Sequence, residues 1–342
     1  MLKFEHHVDL FPYNTFHIHA TARLLLRVTS VGDLIELTRQ KELMTGRVLI
    51  LGGGSNILMT GDYDGLVVKN EITGIEVLDE DDDFVSVRVG AGEAWHQFVR
   101  HCVDHDWGGI ENLSLIPGTV GAAPMQNIGA YGVEIRETVT SVEAVELATG
   151  EVRTFSKAEC RFGYRESIFK NEMRGKYFIS SVTLRLTRRN HKINASYGSL
   201  RDLLSEKGID DPTVRDISEA VIAVRKSKLP DPVLIGNAGS FFKNPSVDAA
   251  SLAFIREQAS VVPTFPGEGG LTKVPAGWLI EQCGWKGATL GNIGVHKHQA
   301  LVLVNYGDGK GSDIWDLAMK IKESVKDKFG VTLQPEVNVI HP

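Results

Sequence analysis

The chain has few cysteines, no long hydrophobic run and no excess of positive charge. Its three cysteines, Cys102, Cys160 and Cys283, are odd in number and far apart in a chain of 342 residues. We therefore expect reduced thiols in a cytoplasmic protein rather than a disulfide framework. No run of about 18 apolar residues occurs, so no transmembrane helix is predicted. Residues 1–7 lack the apolar core of an export signal.

The charge balance argues against polyanionic partners. The formal net charge is −6 at pH 7, so the protein as a whole does not attract nucleic acid or an anionic membrane. An anionic ligand must then be held by a local group of cations or backbone amides. Nothing in the sequence indicates an obligatory protein partner.

Signatures of Rossmann, P-loop and metal sites are also missing. The run Gly52–Asn56 (GGGSN) follows the apolar stretch Val48–Leu51, but Ile57 stands where a dinucleotide fingerprint needs a third glycine. No Walker A sequence occurs. His101 and His105 could share one helix face, but no third ligand has suitable spacing, so we predict no metal site.

The hydrophobic pattern predicts a multi-lobed chain of mixed α/β and α+β character. A chain of this length exceeds one typical core, and we predict lobes at residues 1–70, 71–212 and 213–342, with a polar loop near 190–211. The acidic run 79–83 predicts a solvated turn. The predicted elements are strand 24–28, helix 30–40, strands 48–51, 65–68 and 85–89, helix 94–105, a hairpin of 139–147 with 152–155, strand 177–186, helices 214–226, 249–258 and 314–328, and strands 300–304 and 337–340.

Two glycine-rich loops are the clearest sign of a cofactor. Gly52–Asn56 is followed some 65 residues later by the run Pro117–Gly121 (PGTVG). Glycine leaves room for consecutive backbone amides to converge on phosphate oxygens. The first loop alone is equally explained as a tight connection without a ligand. Two such loops together could hold both ends of a pyrophosphate.

Three polar clusters supply candidate catalytic side chains. Gly236–Pro245 (GNAGSFFKNP) presents Ser240 on a small-residue turn, Gly163–Ser167 (GYRES) contains Arg165, and Glu336 follows Pro335 at the start of an apolar strand. Taken singly, each has an ordinary explanation: a turn-capping serine, a surface arginine in a salt bridge and an exposed acid at a strand end.

Taken together, these motifs resemble those of the UDP-N-acetylenolpyruvoylglucosamine reductases, flavoenzymes of bacterial cell-wall synthesis. The family forms Ile-Pro-Gly-x-Val-Gly and Gln-Asn-x-Gly-Ala-Tyr-Gly occur at 116–121 and 126–132, and a further match lies at Pro12–Phe16. Serines of some members are replaced by Ala122 and Ala123, so any hydroxyl contact to the cofactor there is lost or made by backbone.

The resemblance implies a fold and a cofactor. The fold is a two-lobed FAD-binding domain of the vanillyl-alcohol-oxidase (PCMH) type, over about residues 17–188, plus a C-terminal α/β substrate-binding domain. FAD is bound non-covalently, and NADPH is the reductant. The cofactor-binding residues implied are Gly52, Gly53, Gly54, Ser55, Asn56, Pro117, Gly118, Thr119, Gly121, Gln126, Asn127, Gly129 and Ala130.

The resemblance also implies a reaction, the reduction of UDP-N-acetylenolpyruvoylglucosamine to UDP-N-acetylmuramate for peptidoglycan. Hydride passes from flavin N5 to the vinyl carbon. Arg165 grips the substrate carboxylate, Ser240 supplies the proton, and Glu336 bonds the carboxylate side as enolate character builds, which favours its protonated form. The substrate-binding positions that match are Tyr197, Lys228, Asn244 and Gln299, of which Lys228 is also a candidate to assist Ser240. Tyr197 and the long insert 190–212 indicate type I, the form with a tyrosine lid.

Two other functions are alternatives to this reductase activity. An oxidase of the same fold, acting on a small alcohol or sugar, would be expected to tether its flavin through a histidine or cysteine, and none stands at an obvious glycine-loop position. A catalytically silent nucleotide-sugar-binding protein would leave Arg165, Ser240 and Glu336 together without a purpose.

Overall fold

The computed structural model describes residues 2–342. Its strands are β1 (Phe4–Asp9), β2 (Thr21–Val28), β3 (Val48–Leu51), β4 (Ile57–Met59), β5 (Tyr63–Asn70), β6 (Ile75–Glu80), β7 (Phe84–Gly90), β8 (Gly129–Ala130), β9 (Val133–Glu134), β10 (Val139–Glu146), β11 (Val152–Ser156), β12 (Tyr177–Thr187), β13 (Ser246–Val247), β14 (Phe265–Pro266), β15 (Thr272–Lys273), β16 (Thr289–Leu290), β17 (Ile293–Val295), β18 (Leu303–Asn305) and β19 (Asn338–Ile340). Its α-helices are α1 (Val31–Thr38), α2 (Lys41–Met44), α3 (Trp95–Asp104), α4 (Gly198–Glu206), α5 (Val214–Lys228), α6 (Ala249–Gln258), α7 (Ala276–Gln282) and α8 (Gly311–Phe329).

The chain forms two compact units that alternate along the sequence. The first unit comprises the chain up to Val8 together with Ala22–Gly53 and Asp64–Ser227. The second comprises Asp9–Thr21, Gly54–Tyr63 and Lys228–Pro342. The three lobes predicted from the sequence, with boundaries at 70 and 212, stay a prediction.

The first unit is built on two sheets. One has the strand order β1-β2-β5-β3, with β3 and β5 parallel, and the other has the order β11-β10-β12-β7-β6. Along β7, Val85, Val87 and Val89 are fully buried while Arg88 is exposed, as expected of a strand with one buried face, and the predicted strand 85–89 is confirmed. Helix α1 begins where expected, because the Ser30 side chain accepts a hydrogen bond from the Asp33 backbone amide.

Two local predictions are wrong. The segment 79–83 was expected to be a turn, but β6 runs to Glu80 and only the last residues turn. The segment 190–211 was expected to be a loop, but it contains helix α4. Leu200 and Leu204 recur at helical spacing and pack against Ile217 and Val221 of α5, so a small apolar core overrides the polar composition.

The second unit contains short sheets and the three helices α6, α7 and α8. Strand β19 pairs in parallel with β4, and β16, β17 and β18 form an antiparallel sheet. Helix α8 buries Ile314, Leu317 and Ile321 at helical spacing, and it ends at Gly330. None of the helices among residues 2–342 is long and apolar enough to cross a bilayer.

Candidate active site

The two glycine loops of the first unit touch each other. A Cβ placed on Gly53 would lie 2.8 Å from the Cα of Gly118, and one on Gly52 would lie 2.5 Å from Oγ1 of Thr119. Both distances are shorter than side chains tolerate, so these positions require glycine. The rim of this contact, at Gly53 and Pro117, is exposed. The loops therefore present backbone to solvent at the point where they meet.

This contact region fits the pyrophosphate of FAD. Two bare backbone segments on an accessible rim can direct amide groups at phosphate oxygens without a side chain in the way. Gly121 is pressed against Ala91, where a Cβ would approach within 2.5 Å, so the second loop is held down on its inner side. Ala122 is exposed and Ala123 is buried, so a hydroxyl at 123 would face the protein interior.

Arg165 lies on a tight turn of the first unit. Gly163 and Glu166 bond to each other through both backbone amides, at 3.0 and 3.2 Å, and Arg165 sits between them with φ +56°. This left-handed conformation costs energy for a residue with a Cβ, and such strain is common at functional sites. The Arg165 guanidinium donates to the carbonyl of Gly129 at 2.8 Å and lies over the Tyr164 ring.

Asn127 joins that turn to the second cofactor segment. It is fully buried, and its Nδ2 donates to the carbonyl of Gly163 and to Glu134, both at 2.9 Å. Its Oδ1 accepts from the Arg136 backbone amide at 3.1 Å. The structure thus brings Arg165 together with Asn127 and Gly129, which the sequence predicted only as separate motifs.

Ser240 lies at the start of an extended segment in the second unit, and another segment of the same polypeptide runs along each side of it. It pairs with Val302, and the next residue, Phe241, donates its amide to Leu301 at 2.8 Å. On the other side, the Glu336 amide donates to the carbonyl of Phe241 at 2.8 Å. The backbones of Ser240 and Glu336 are therefore on adjacent extended segments, although nearly a hundred residues separate them.

Asn237 shapes the turn that exposes Ser240. Its Oδ1 accepts from the Gly239 amide at 3.0 Å, and its Nδ2 donates to Ile235 at 2.8 Å. This side-chain turn holds Gly239 at φ +68°, a conformation that glycine adopts without strain. Thr15 donates its hydroxyl to the Asn237 carbonyl at 2.6 Å. The hydroxyl of Ser240 follows this fixed turn and belongs to an exposed residue.

The end of the first glycine loop meets Glu336 within the second unit. Gly54 packs so closely on the Tyr13 carbonyl that a Cβ would lie 1.9 Å from that oxygen. Asn56 donates its side-chain amide to the carbonyl of Glu336 at 3.4 Å, and its own carbonyl accepts from the Asn338 amide at 3.0 Å. Asn56, a predicted cofactor-binding residue, is thus hydrogen-bonded to the segment that carries Glu336, a predicted catalytic acid.

Asn244 and Gln299 converge on the first turn of α7. The Asn244 Oδ1 accepts from the Ala276 amide at 2.9 Å. The Gln299 Oε1 accepts from Leu301 at 3.3 Å and would contact a Cβ on Gly277 at 3.1 Å. Lys228, the last residue of α5, is exposed. These substrate-binding predictions fall in the second unit, whereas Arg165 and Tyr197 fall in the first.

Tyr197 precedes helix α4 and is half exposed. Its ring meets that of Tyr131 edge to face, with 5.1 Å between centroids. Burial raises the pKa of Tyr131, and the nearby Arg225 opposes that shift. Thr15, Asn237, Tyr131 and Arg225 were not predicted as site residues from the sequence. Thr15 lies in the motif match at Pro12–Phe16 and Tyr131 in the match at 126–132, and these matches were the only signals for the two residues.

Comparison with known proteins identifies the family to which this chain is similar. Residues 231–340 match the family "UDP-N-acetylenolpyruvoylglucosamine reductase, C-terminal domain", and residues 22–156 match the family "FAD binding domain". The UDP-N-acetylenolpyruvoylglucosamine reductase of Flavobacterium johnsoniae is 49% identical over 339 residues, covering 99% of this chain and 100% of that protein. The enzyme of the same name from Chromobacterium violaceum is 50% identical over 336 residues, covering 98% of each chain.

A solved structure shows the same fold. The UDP-N-acetylenolpyruvylglucosamine reductase of Thermus caldophilus superimposes with a TM-score of 0.68 over 99% of both chains, at 22% sequence identity. The predicted fold, an FAD-binding domain of the vanillyl-alcohol-oxidase type followed by a C-terminal α/β domain, is confirmed.

Proposed function

This chain belongs to the UDP-N-acetylenolpyruvoylglucosamine reductase family, and we propose that Arg165, Ser240 and Glu336 carry its chemistry. It is an FAD-dependent oxidoreductase that reduces UDP-N-acetylenolpyruvoylglucosamine to UDP-N-acetylmuramate with NADPH. The observation that carries this conclusion is the identity of about one residue in two with named reductases over the full chain.

The glycine contact region would hold FAD. Gly53 and Gly118 at the rim offer backbone amides to the pyrophosphate, and Asn56 and Asn127 fix the loops by their side-chain bonds. The chemistry that FAD would supply there is the transfer of two electrons from NADPH, delivered as hydride to the vinyl carbon. The protein's own task is to orient the substrate, stabilise charge on its carboxylate and deliver a proton to the adjacent carbon.

Arg165 is suited to the carboxylate. A guanidinium is always charged and presents parallel donors that match both carboxylate oxygens. Its turn fixes the backbone, and the bond to Gly129 fixes one side of the guanidinium. The ordering of this side chain before the substrate arrives lowers the entropy cost of binding it.

Ser240 is suited to the proton. Its hydroxyl projects from a turn held by Asn237, so its position is set by the fold rather than by the ligand. A serine hydroxyl is a weak acid, and a nearby cation must stabilise the alkoxide left behind; Lys228 is our candidate. Hydride at the vinyl carbon and this proton at its neighbour complete the addition across the double bond.

Glu336 is suited to the charge that develops during transfer. In its acid form the carboxyl donates a hydrogen bond to the substrate carboxylate as enolate character builds. Its backbone lies on the strand next to Ser240, so the acid and the hydroxyl are held by one set of backbone bonds.

We assign the UDP-sugar diphosphate to three residues of the second unit, Lys228, Asn244 and Gln299. Asn244 and Gln299 lie beside the first turn of α7, and their side-chain amides can donate to phosphate oxygens. Lys228 adds a positive charge. Tyr197 precedes α4 in the first unit, and we infer from it that this chain is of type I, the form with a tyrosine lid.

Replacing Tyr197 with phenylalanine tests the lid. The ring contact with Tyr131 is retained, and only the hydroxyl is removed. One lost hydrogen bond should raise the KM for the UDP-sugar by about 2- to 10-fold and leave the FAD content unchanged. Steady-state kinetics measure this directly. Tyr306→Phe, a change at a similarly exposed tyrosine, is the control, and an unchanged KM in Tyr197→Phe would contradict the lid.

Steady-state NADPH consumption tests the reaction as a whole. We expect consumption to require the enolpyruvyl UDP-sugar and to stop when that substrate is exhausted. Reduction of the flavin by small alcohols or sugars without NADPH would instead support an oxidase. We further infer a cytoplasmic role in peptidoglycan synthesis, and the free state of all three cysteines supports that location.

A further inference from the structure

Helices α3 and α5 of the first unit approach each other at two points, which join the end of α3 to the start of α5 and the start of α3 to the end of α5. Near the end of α3, Asp104 accepts from Arg215 at the start of α5, at 2.9 Å. At the start of α3, His96 lies close enough to Arg225 and Lys226, near the end of α5, to feel their charges. The positive charge of Arg215 is therefore neutralised where α3 ends, whereas the basic side chains where α3 begins have no such acidic partner within the described part of the chain.

The second end gathers four basic side chains, which we call the cation cluster: His96, Arg100, Arg225 and Lys226. The acid available to Arg100 is Asp104, at 3.8 Å, and Arg215 holds the same carboxylate more closely. Among residues 2–342, no carboxylate forms an ion pair with Arg225 or Lys226. The cluster thus carries about three uncompensated positive charges at neutral pH.

Arg225 is the most unusual member of the cluster. Its guanidinium lies close to the Tyr131 side chain, and its Nε is shielded from solvent with no hydrogen-bond partner among residues 2–342. Burial lowers the pKa of Arg225. The residue as a whole is partly exposed, but a shielded guanidinium nitrogen without a partner is costly unless an anion completes the site.

His96 adds a hydrogen-bond donor to the same end. Its Nδ1 accepts from the Leu115 amide at 3.0 Å, so the neutral ring carries its proton on Nε2. Burial, followed by the neighbouring positive charges, lowers the pKa of His96 and keeps it neutral. The bond to Leu115 also ties the cluster to the segment that enters the second glycine loop.

A phosphate monoester is the ligand that this chemistry fits. It carries nearly two negative charges on one phosphorus and several acceptor oxygens, which matches a guanidinium pair, an ammonium and an imidazole N–H. The glycine loops account for the FAD pyrophosphate, and Lys228, Asn244 and Gln299 account for the UDP-sugar diphosphate. The phosphates of NADPH have no partner in these assignments, and among them only the 2′-phosphate is a monoester.

We propose that the cation cluster binds the 2′-phosphate of NADPH and so makes the enzyme prefer NADPH to NADH. The inference rests on the proposed function only in taking NADPH as the reductant. A phosphate bound there would satisfy the Arg225 guanidinium next to Tyr131, the ring that Tyr197 contacts. The nucleotide and the tyrosine lid then share a neighbour.

Binding of small nucleotides to the FAD-loaded protein tests the proposal without catalysis. Adenosine 2′,5′-bisphosphate is titrated calorimetrically against adenosine 5′-monophosphate. We expect Lys226→Gln and Arg100→Gln each to weaken binding of the bisphosphate by about 10-fold or more and to leave the monophosphate unchanged, since each loses one charged contact to the 2′-phosphate. Both side chains are partly or fully exposed, so the variants should fold.

Rapid-mixing flavin reduction is the second readout. In both variants, the half-saturating concentration of NADPH should rise while that of NADH stays the same. Arg225→Lys should show the same loss of preference, and Arg215→Gln, at the neutralised end of the helices, should show none. Equal weakening of both nucleotides, loss of FAD, or a defect confined to reoxidation by the UDP-sugar would each overturn the proposal. Absent reoxidation in the unaltered protein would contradict only the proposed function, because neither readout uses the UDP-sugar.

Discussion

In Ser240→Ala, reoxidation of the reduced flavin by the enolpyruvyl UDP-sugar should slow by about 10²–10⁴-fold, the usual contribution of a positioned general acid. Flavin reduction by NADPH should proceed at the unaltered rate, because it needs no proton from this hydroxyl. The Asn237 turn and the bonds of Phe241 do not involve the Ser240 side chain, so the fold should be retained. Anaerobic rapid mixing separates the two half-reactions.

Ser246→Ala provides the matched control for this change. Ser246 is an exposed serine in β13 of the same unit, six positions along the chain, and has no assigned role. Both variants should keep their FAD and their unfolding temperature. Near-normal reoxidation in Ser240→Ala would remove the serine from the mechanism, even if overall turnover were modestly lower.

Arg165→Lys should produce the second largest loss. The positive charge remains, but the lysine cannot offer two parallel donors to a carboxylate or keep the bond to Gly129. Hydrogen bonds to charged groups are each worth about 1.5–3 kcal/mol, so we expect kcat for the UDP-sugar to fall by about 10- to 100-fold. The measurement is single-turnover reoxidation together with the FAD content per chain.

A chemically equal change elsewhere controls for general effects. Arg161 also makes a bidentate bond, to Glu172 with both distances 2.8 Å, but both partners are exposed. Arg161→Lys should leave both half-reactions intact, since exposed ion pairs contribute little. If Arg165→Lys lost FAD without slowing reoxidation of the fraction still loaded, the arginine would be a support for Gly129 and not a carboxylate ligand.

Local sequence patterns predicted helices and strands well where buried and exposed residues repeat at one regular spacing. The alternation at Val85, Val87 and Val89 and the cap at Ser30 each depend on near neighbours, and both are present. Helix α4 was missed because Leu200 and Leu204 make a short apolar stripe whose stability comes from α5. The residues of α5 against which it packs cannot be identified from the sequence of α4 alone.

Local patterns also could not predict which residues far apart in the sequence meet in the site. Sequence motifs supplied Ser240 and Glu336 separately, but the bond between the Glu336 amide and Phe241 depends on strand register that no local pattern sets. The sequence placed Arg225 only within the predicted helix 214–226. The shielding of its Nε from solvent depends on tertiary packing, and it is the basis of the proposed phosphate site.

The central claim is that this protein uses bound flavin to pass electrons from NADPH to an enolpyruvyl UDP-sugar. The most direct test is the visible spectrum of the purified protein without oxygen. We predict that the flavin absorbance bleaches on addition of one equivalent of NADPH, stays bleached alone, and returns when the enolpyruvyl UDP-sugar is added. A colourless protein that cannot take up FAD, or a bleached flavin that this sugar fails to reoxidise, would contradict the account.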